Sequence, residues 1–588
     1  MGYGAASNCE FVRPLVLFLL CESPLSVMNR SIERWFRGSS LVRALYQGAP
    51  IVALHRALAT IGLQGTLGME LSDFSRLDPV VPIQTSEGPS RQRVLFVIPR
   101  NFRTHATFQA SVAQALTLRG ADCAIATCGG IMPVCEVAWS EQEVFPRCAR
   151  CTTYISELAD LAGIPRYSLS DYRDRTNEEK IEAELSPLDI KALTRYVWNQ
   201  FPIGNFAIPP TRWRLRSHDF ANHPQGQSVV RGFIRGGVRW AIAIEQVFKL
   251  FRPDVVVMLN GLFMEERVTW AVSDRQGCRC VFFEKGRDAG TVFLSHGTSA
   301  PRYDISATWD RAAQTPLNEE QRLAILNLMD RRVRGEQMVE TYWAAKESDE
   351  EKIRQHLRLD LKSPLAVLFT NVVWDTAMQD RDTVFDGMLD WLQTTIQLFR
   401  INPQWTLIIR IHPAETQVPG RESHDRVAEW IQQDLGSVPE NVRLVLPEAP
   451  IDSYVLIRMA QVGLVYASTV GLEMAVAGTP VVVAGDAHYS GKGFTYDPAH
   501  RDDYAHQVET LMAEQREISR EKQVDLALSY AHIFFLRRTL PITTLTERQE
   551  ARPRLAYHSF PELMPGVSSA LDVVCDGILN GREFEVYR

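Results

Sequence analysis

A chain of 588 residues exceeds what one hydrophobic core usually supports, so two large domains with terminal additions are expected. With 45% hydrophobic residues, 23% charged residues and a net charge of -7, it has the composition of an ordinary folded protein without the basic excess of a nucleic-acid binder, so any anionic ligand must meet a local site. Ten unevenly spread cysteines are too few for a disulfide scaffold and fit a reducing cytoplasm.

From the N-terminus, the apolar run 15–21 is too short to span a bilayer and is bracketed by Pro14 and Glu22, so no transmembrane helix is expected. Residues 32–63 mix apolar positions (Trp35, Phe36, Leu41, Leu45) with Arg34, Arg37 and Arg43, a pattern of amphipathic helices. A solvated helical face and peripheral membrane contact are the two readings of that pattern. A polar stretch rich in Pro, Ser and Gly from 77 to 91 ends this helical extension, which we bound at 1–90.

A strand at 93–99, a helical stretch at 107–119 stopped by Gly120, and a strand at 122–127 form a βαβ unit. Buried-type strands at 254–259 and 279–283 extend it into a first domain, 91–345. The charged stretch 317–356 has helical spacing and bridges the halves. Strands at 364–371, 405–411, 462–466 and 480–484 alternate with helical stretches in a second domain, 346–545, followed by a tail, 546–588. The fold class is therefore α/β, with two Rossmann-like doubly wound domains whose ligand sites lie beyond the carboxyl ends of the strands.

The segment Tyr466-Ala-Ser-Thr-Val-Gly-Leu-Glu473 lies between two apolar strands and reads as strand end, then helix, with Gly478 as the stop. Ser468 and Thr469 stand at the helix start, where hydroxyls and unpaired amides suit a phosphate; a plain N-cap is the alternative. A capping box would want its acid at 471 or 472, which are Gly471 and Leu472, so Glu473 is left for a ribose. His412 and Pro413 close another strand, and alternation puts Arg410 on the same face as His412, where both can meet a phosphate. A His bonded to its own loop is the competing account.

Glu284 ends a buried strand and can act as general base toward an acceptor hydroxyl, or pair with Lys285 or Arg287 at the surface. His296 and Asp304 are weaker candidates for the same cleft. In the loop 488–497, Lys492 can neutralise a phosphate and Tyr489 can stack on a base or sugar; an ordinary turn competes. Cys128, Cys135, Cys148 and Cys151 include one pair with the two-residue gap common in zinc sites, so they can hold a structural Zn²⁺, with an Fe–S cluster or buried small thiols as the alternatives.

Together these residues resemble the bacterial capsule polysaccharide biosynthesis family that includes the β-Kdo transferases, from about residue 93 to about 540. The likeness is densest at 466–497, and 370–375 is similar to the opening loop of that family's second domain. His412-Pro413 and Ser468-Thr469 are similar to the HP and Ser-Ser/Thr motifs of bacterial sialyltransferases, whose donor is a CMP-sugar. The resemblance implies a GT-B fold, a glycosyltransferase reaction, a nucleotide-sugar donor held by the second domain and a glycan or glycolipid acceptor held by the first. It also implies no cofactor or metal for catalysis, while the cysteine usage points to the cytoplasm, in or out of contact with the inner membrane. On it, His412 and Ser468 contact the donor phosphate and Glu473 the ribose; Arg410, Thr469 and Lys492 join the donor site from their own positions in the chain. The acidic base motif of sialyltransferases is matched only loosely by Glu284-Lys285-Gly286. A sugar-nucleotide epimerase or hydrolase of the same fold, and a non-catalytic capsule-assembly protein, are the alternatives.

Overall fold

The computed structural model describes Leu77 and residues 91–136, 144–313, 315–336, 346–360, 362–418, 420–549 and 552–586. The expected helical extension therefore lies outside the described residues, Leu77 apart. No helix among the described residues is long and apolar enough to cross a membrane.

The first half is built on seven strands: β1 (Arg93–Ile98), β2 (Asp122–Thr127), β3 (Arg166–Ser168), β4 (Val255–Leu259), β5 (Arg279–Lys285), β6 (Thr291–His296) and, from far along the chain, β12 (Thr539–Pro541). Their order is β12-β6-β5-β4-β1-β2-β3, with β3, β2, β1, β4 and β5 parallel and β6 and β12 antiparallel. Helices α1 (Arg103–Leu118), α2 (Val144–Ala162), α3 (Ile208–Leu215), α4 (Gly226–Phe251) and α5 (Met264–Arg275) surround the sheet. β1 and β4 are buried apolar runs because helices cover both faces, the condition under which a parallel strand loses its alternation. Gly236 lets α4 lie against the loop after β2, since a Cβ there would meet Met132 Cε at 2.7 Å.

The bridging stretch forms α6 (Glu319–Val333), capped by Asn318 and Gln321 in a capping box. The second half is a wholly parallel sheet of β7 (Leu365–Phe369), β8 (Thr406–Arg410), β9 (Val442–Val445), β10 (Val462–Val465) and β11 (Val481–Val483), in the order β11-β10-β7-β8-β9. Helix α7 (Val470–Val476) connects β10 to β11, and Gly478 at φ +84° turns the chain after it, as the stop signal required.

After α8 (Arg520–Ala531) the chain leaves the second half. It crosses back to lay β12 beside β6 and ends in α9 (Ser569–Asn580), which packs on α1 through a 2.5 Å Arg119–Asp572 ion pair. The stretch expected as a tail is thus part of the first half's core, with Leu571, Val574 and Ile578 buried in one cluster with β4 and α1 residues. Two Rossmann-like sheets carry the chain, as the alternation of elements required.

Candidate functional site

In an open parallel sheet the ligand crevice opens where neighbouring strands run their connections to opposite faces, outside the carboxyl ends. The first half has that point between β1 and β4, the second between β7 and β10. The two carboxyl edges meet across one seam. Ala300, whose amide bonds the carbonyl of Asn260 just past β4, begins a turn whose Pro301 carbonyl accepts from Arg381 Nη2 at 2.7 Å. Arg302 pairs with Asp486 beyond β11, and Trp213 of α3 meets Trp374 beyond β7 edge-on at 5.4 Å.

On the first side, Glu284 sits near the end of β5 with its Oε1 3.7 Å from His105 Nε2, its Oε2 accepting from Asn260 Nδ2 at 3.2 Å and its Oε1 from the Lys285 amide at 2.9 Å. Burial alone would raise its pKa; His105, the Lys285 amide and Asn260 reverse that and hold the carboxyl below its ordinary range. His105 is itself lowered, mainly by burial, so its ring is neutral near neutral pH and its Nε2 has no hydrogen-bond partner. Glu284 thus pairs with neither Lys285 nor Arg287, and an ionised carboxylate stands at the seam, able to accept a proton from a bound hydroxyl.

His105 and Asn260 were not among the residues singled out from the sequence. The signal was present: each lies just past the carboxyl end of a predicted strand, where a ligand belongs. His296 does not join this group. Its Nε2 lies 2.8 Å from the carbonyl of Arg582 and its ring stacks on Phe584.

On the second side, His412 caps a short turn, its Nδ1 accepting from the Ala414 amide at 3.1 Å while its own amide donates to Thr370 Oγ1 at 3.0 Å. With Nδ1 an acceptor, the neutral ring carries its proton on Nε2, the state needed to donate to a phosphate oxygen. Ser468 and Thr469 lie just past β10, near Asn371 of the loop past β7, whose Oδ1 is 3.4 Å from the Ala467 amide. The helix that follows is only seven residues long, and the amides of Val470, Gly471 and Leu472 are already bonded within the turn. Hydroxyls are therefore the better phosphate contacts than amides, and Thr469 Oγ1 is buried with no partner.

Three expectations change. Arg410 is buried and spends Nη1 on the carbonyl of Leu446 at 2.7 Å, with burial pushing its pKa down to about 10. β8 ends at Arg410, and His412 stands at the start of the short turn that follows. Glu473 has a structural partner after all: Oε1 accepts from Arg332 Nε at 3.0 Å and Nη2 at 2.8 Å. Tyr489 is wholly buried, and its hydroxyl donates to the Ser468 carbonyl at 2.5 Å, which leaves no face for a base. It holds the turn at Ser468 from beneath.

Lys492 reaches across the seam to Ser306 Oγ at 2.9 Å, so its ammonium does lie between the halves. Among the described residues no three His, Cys, Asp or Glu side chains stand where they could hold a metal ion. Cys128 and Cys151 are thiols raised by burial, Cys128 to about 12, while the Cys151 sulfur accepts from the Asn101 amide at 3.3 Å. Cys128, Cys135, Cys148 and Cys151 are each partly buried free thiols.

Residues 316–524 match the sequence profile of a family described as capsule polysaccharide biosynthesis protein. A comparison with curated proteins finds no match. Among solved structures, the chain is similar to the β-Kdo 2,4 transferase of KpsC from Thermosulfurimonas dismutans, at 12% identity over 52% of this chain and 84% of that one, TM-score 0.33. It is similar to the β-Kdo 2,7 transferase of the same protein at 14% identity, covering 53% and 85%, TM-score 0.32. It is also similar to UDP-GlcNAc 2-epimerase from Neisseria meningitidis, at 11% identity, covering 75% and 98%, TM-score 0.24.

Proposed function

We propose, from a second half that matches the capsule polysaccharide biosynthesis family over residues 316–524, that this chain is a glycosyltransferase. It moves a sugar from a nucleotide-activated donor, CMP-linked on the likeness of its His-Pro and Ser-Thr motifs, to a surface or capsular polysaccharide or a lipid-linked acceptor. The observation that carries the reading is the opposition of two unlike groups across one seam. Glu284 is an ionised carboxylate on one side; His412, Ser468, Thr469 and Lys492 are donors on the other.

Such a pair matches the charge flow of the reaction. Glu284 takes the proton of the acceptor hydroxyl as its oxygen bonds to the anomeric carbon. The bond from that carbon to the phosphate oxygen breaks, and His412 Nε2–H and the two hydroxyls stabilise the departing phosphate. No step is routed through a metal ion. We place the enzyme in the cytoplasm, with contact to the inner membrane through residues 1–90 as part of the proposal.

A thermal-shift screen against CMP, CDP, UDP and GDP tests the donor half. One nucleotide at about a hundred times its Kd stabilises the folded chain by about 2.7 kcal/mol. Product analysis with that nucleotide's sugar conjugates tests the transfer half. Consumption of the donor only when a polysaccharide acceptor is present is the expected result. Conversion without any acceptor would instead assign an epimerase or hydrolase, and no shift with any nucleotide would assign a non-catalytic protein.

A further inference from the structure

Arg287 lies in the turn between β5 and β6, on the first half's side of the seam. Its guanidinium makes no hydrogen bond or ion pair among the described residues; Cζ rests 4.8 Å over the ring of Tyr303, and Nε is buried without a partner. The ring of Tyr303 also meets the ring of His488, from the loop past β11, at 5.9 Å and 65°. Tyr303 therefore spaces a cation of one half from an imidazole of the other.

The tautomer of His488 follows from its neighbours. The hydroxyl of Tyr530 donates its proton to the His488 carbonyl at 2.6 Å, so at Nδ1, 3.0 Å away, that oxygen can only accept. Nδ1 carries the proton, and Nε2 is a bare lone pair that is buried with no partner. Stacking on Phe534 at 4.4 Å and 30° fixes the ring plane. Burial first, then the charges of Arg287 and Arg381, keep this imidazole neutral. A neutral ring with Nε2 bare offers one thing to a ligand, an acceptor for a hydroxyl. A buried donor and a buried acceptor left unmade each carry a desolvation penalty that a ligand occupying both removes.

We propose that Arg287 and His488 together recognise the sugar-phosphate part of the donor, Arg287 binding a phosphoryl oxygen and His488 Nε2 accepting a hydroxyl of the sugar. This rests on the glycosyltransferase reading, and it gives the first half a share in donor recognition that the family likeness assigned to the second. Because one member comes from each half, the sugar-phosphate is gripped only when the seam is closed on it. Arg287 neutralises the leaving group, and His488 is the specificity-determining residue for one sugar hydroxyl.

Calorimetric titration of the full chain with CMP, UDP and GDP, with cytidine, uridine and guanosine, and with CMP-, UDP- and GDP-linked sugars tests the pair. For the nucleotide that binds the wild type, Arg287→Gln weakens affinity about tenfold to a hundredfold and leaves the matching nucleoside unchanged; Arg287→Lys restores part of the loss. His488→Phe leaves nucleotide affinity unchanged and weakens the sugar conjugate about fivefold or more. Near-UV circular dichroism of each variant checks the fold, and His488→Gln, which retains an acceptor, replaces the Phe variant if that one unfolds, then recovering wild-type affinity for the conjugate. Unchanged nucleotide binding in Arg287→Gln, or equal losses for nucleotide and conjugate in His488→Phe, overturns the pair. A wild type that binds none of the probes overturns the glycosyltransferase reading itself, a separate outcome.

Discussion

Glu473 offers the sharpest test, because sequence pattern and structure give it different work. In the structure it is 10% exposed and faces Arg332 of α6, which is 6% exposed, with two N–H groups on one carboxylate oxygen. Arg332 also holds Asp288 at 2.9 Å and lies 4.9 Å over the ring of Phe535, so it stitches α6, α7, the β5–β6 turn and the crossing segment together. Removing one partner of a buried pair costs about 3–5 kcal/mol, since the other charge is left desolvated. Asp288 compensates part of this for Arg332, so we expect Glu473→Leu to cost about 2–3 kcal/mol. Arg332→Met leaves Asp288 without its partner in the single and the double variant alike, whereas only the singles strand Arg332 or Glu473, so Arg332→Met with Glu473→Leu costs less than the sum of the singles by about 2 kcal/mol. Urea unfolding of the four proteins measures the coupling, and nucleotide titration runs beside it. If the two losses add within about 0.5 kcal/mol, and Glu473→Leu alone abolishes nucleotide binding, the carboxylate serves a ribose and the stitch is wrong.

Two further predictions follow the same logic. Glu284→Gln lowers kcat about a hundredfold to ten-thousandfold with nucleotide affinity unchanged. Because the folded pKa of Glu284 lies below its ordinary value, its ionised form adds stability above the unfolded pKa, lost as pH falls through the folded one. The kcat/KM profile of the wild type should accordingly stay flat down to about pH 4.5 on the acid side; an acidic limb near pH 6 would point to a different base. Glu136 behaves oppositely: burial, then Glu265, push its carboxyl up to about 8 despite Arg100. Its folded pKa is raised, so the stability it contributes is present below the unfolded value of about 4.3 and is lost as pH rises toward 8. Glu136→Gln should gain on the wild type between pH 5 and 9, by no more than about 5 kcal/mol, in urea midpoints measured at both ends; a constant gap between the two proteins would refute it.

Much of the fold is legible in the chain because a parallel strand buried on both faces needs an unbroken apolar run, and 93–98, 255–259, 406–410 and 462–465 each carry one. The carboxyl-end rule then places Glu284, His412 and Ser468 at the seam, all from local pattern. What local pattern misses depends on distant chain. β12 has three residues and no signal of its own; it is a strand because β6, about 250 residues earlier, offers it an open edge. Glu473 looks like a ligand residue until Arg332 arrives from another element to satisfy it.

The sequence by itself determines the two sheets, the stops between their elements and the residues at strand ends, since these follow from periodicity over a dozen residues or fewer. The tertiary structure alone decides which polar groups are spent. Only packing brings His105 and Asn260 to Glu284, gives Glu473 to Arg332, and leaves Arg287 and His488 with unmade bonds on either side of Tyr303. Hydrogen-bond satisfaction is a property of neighbours in space, and the chain does not name them in order.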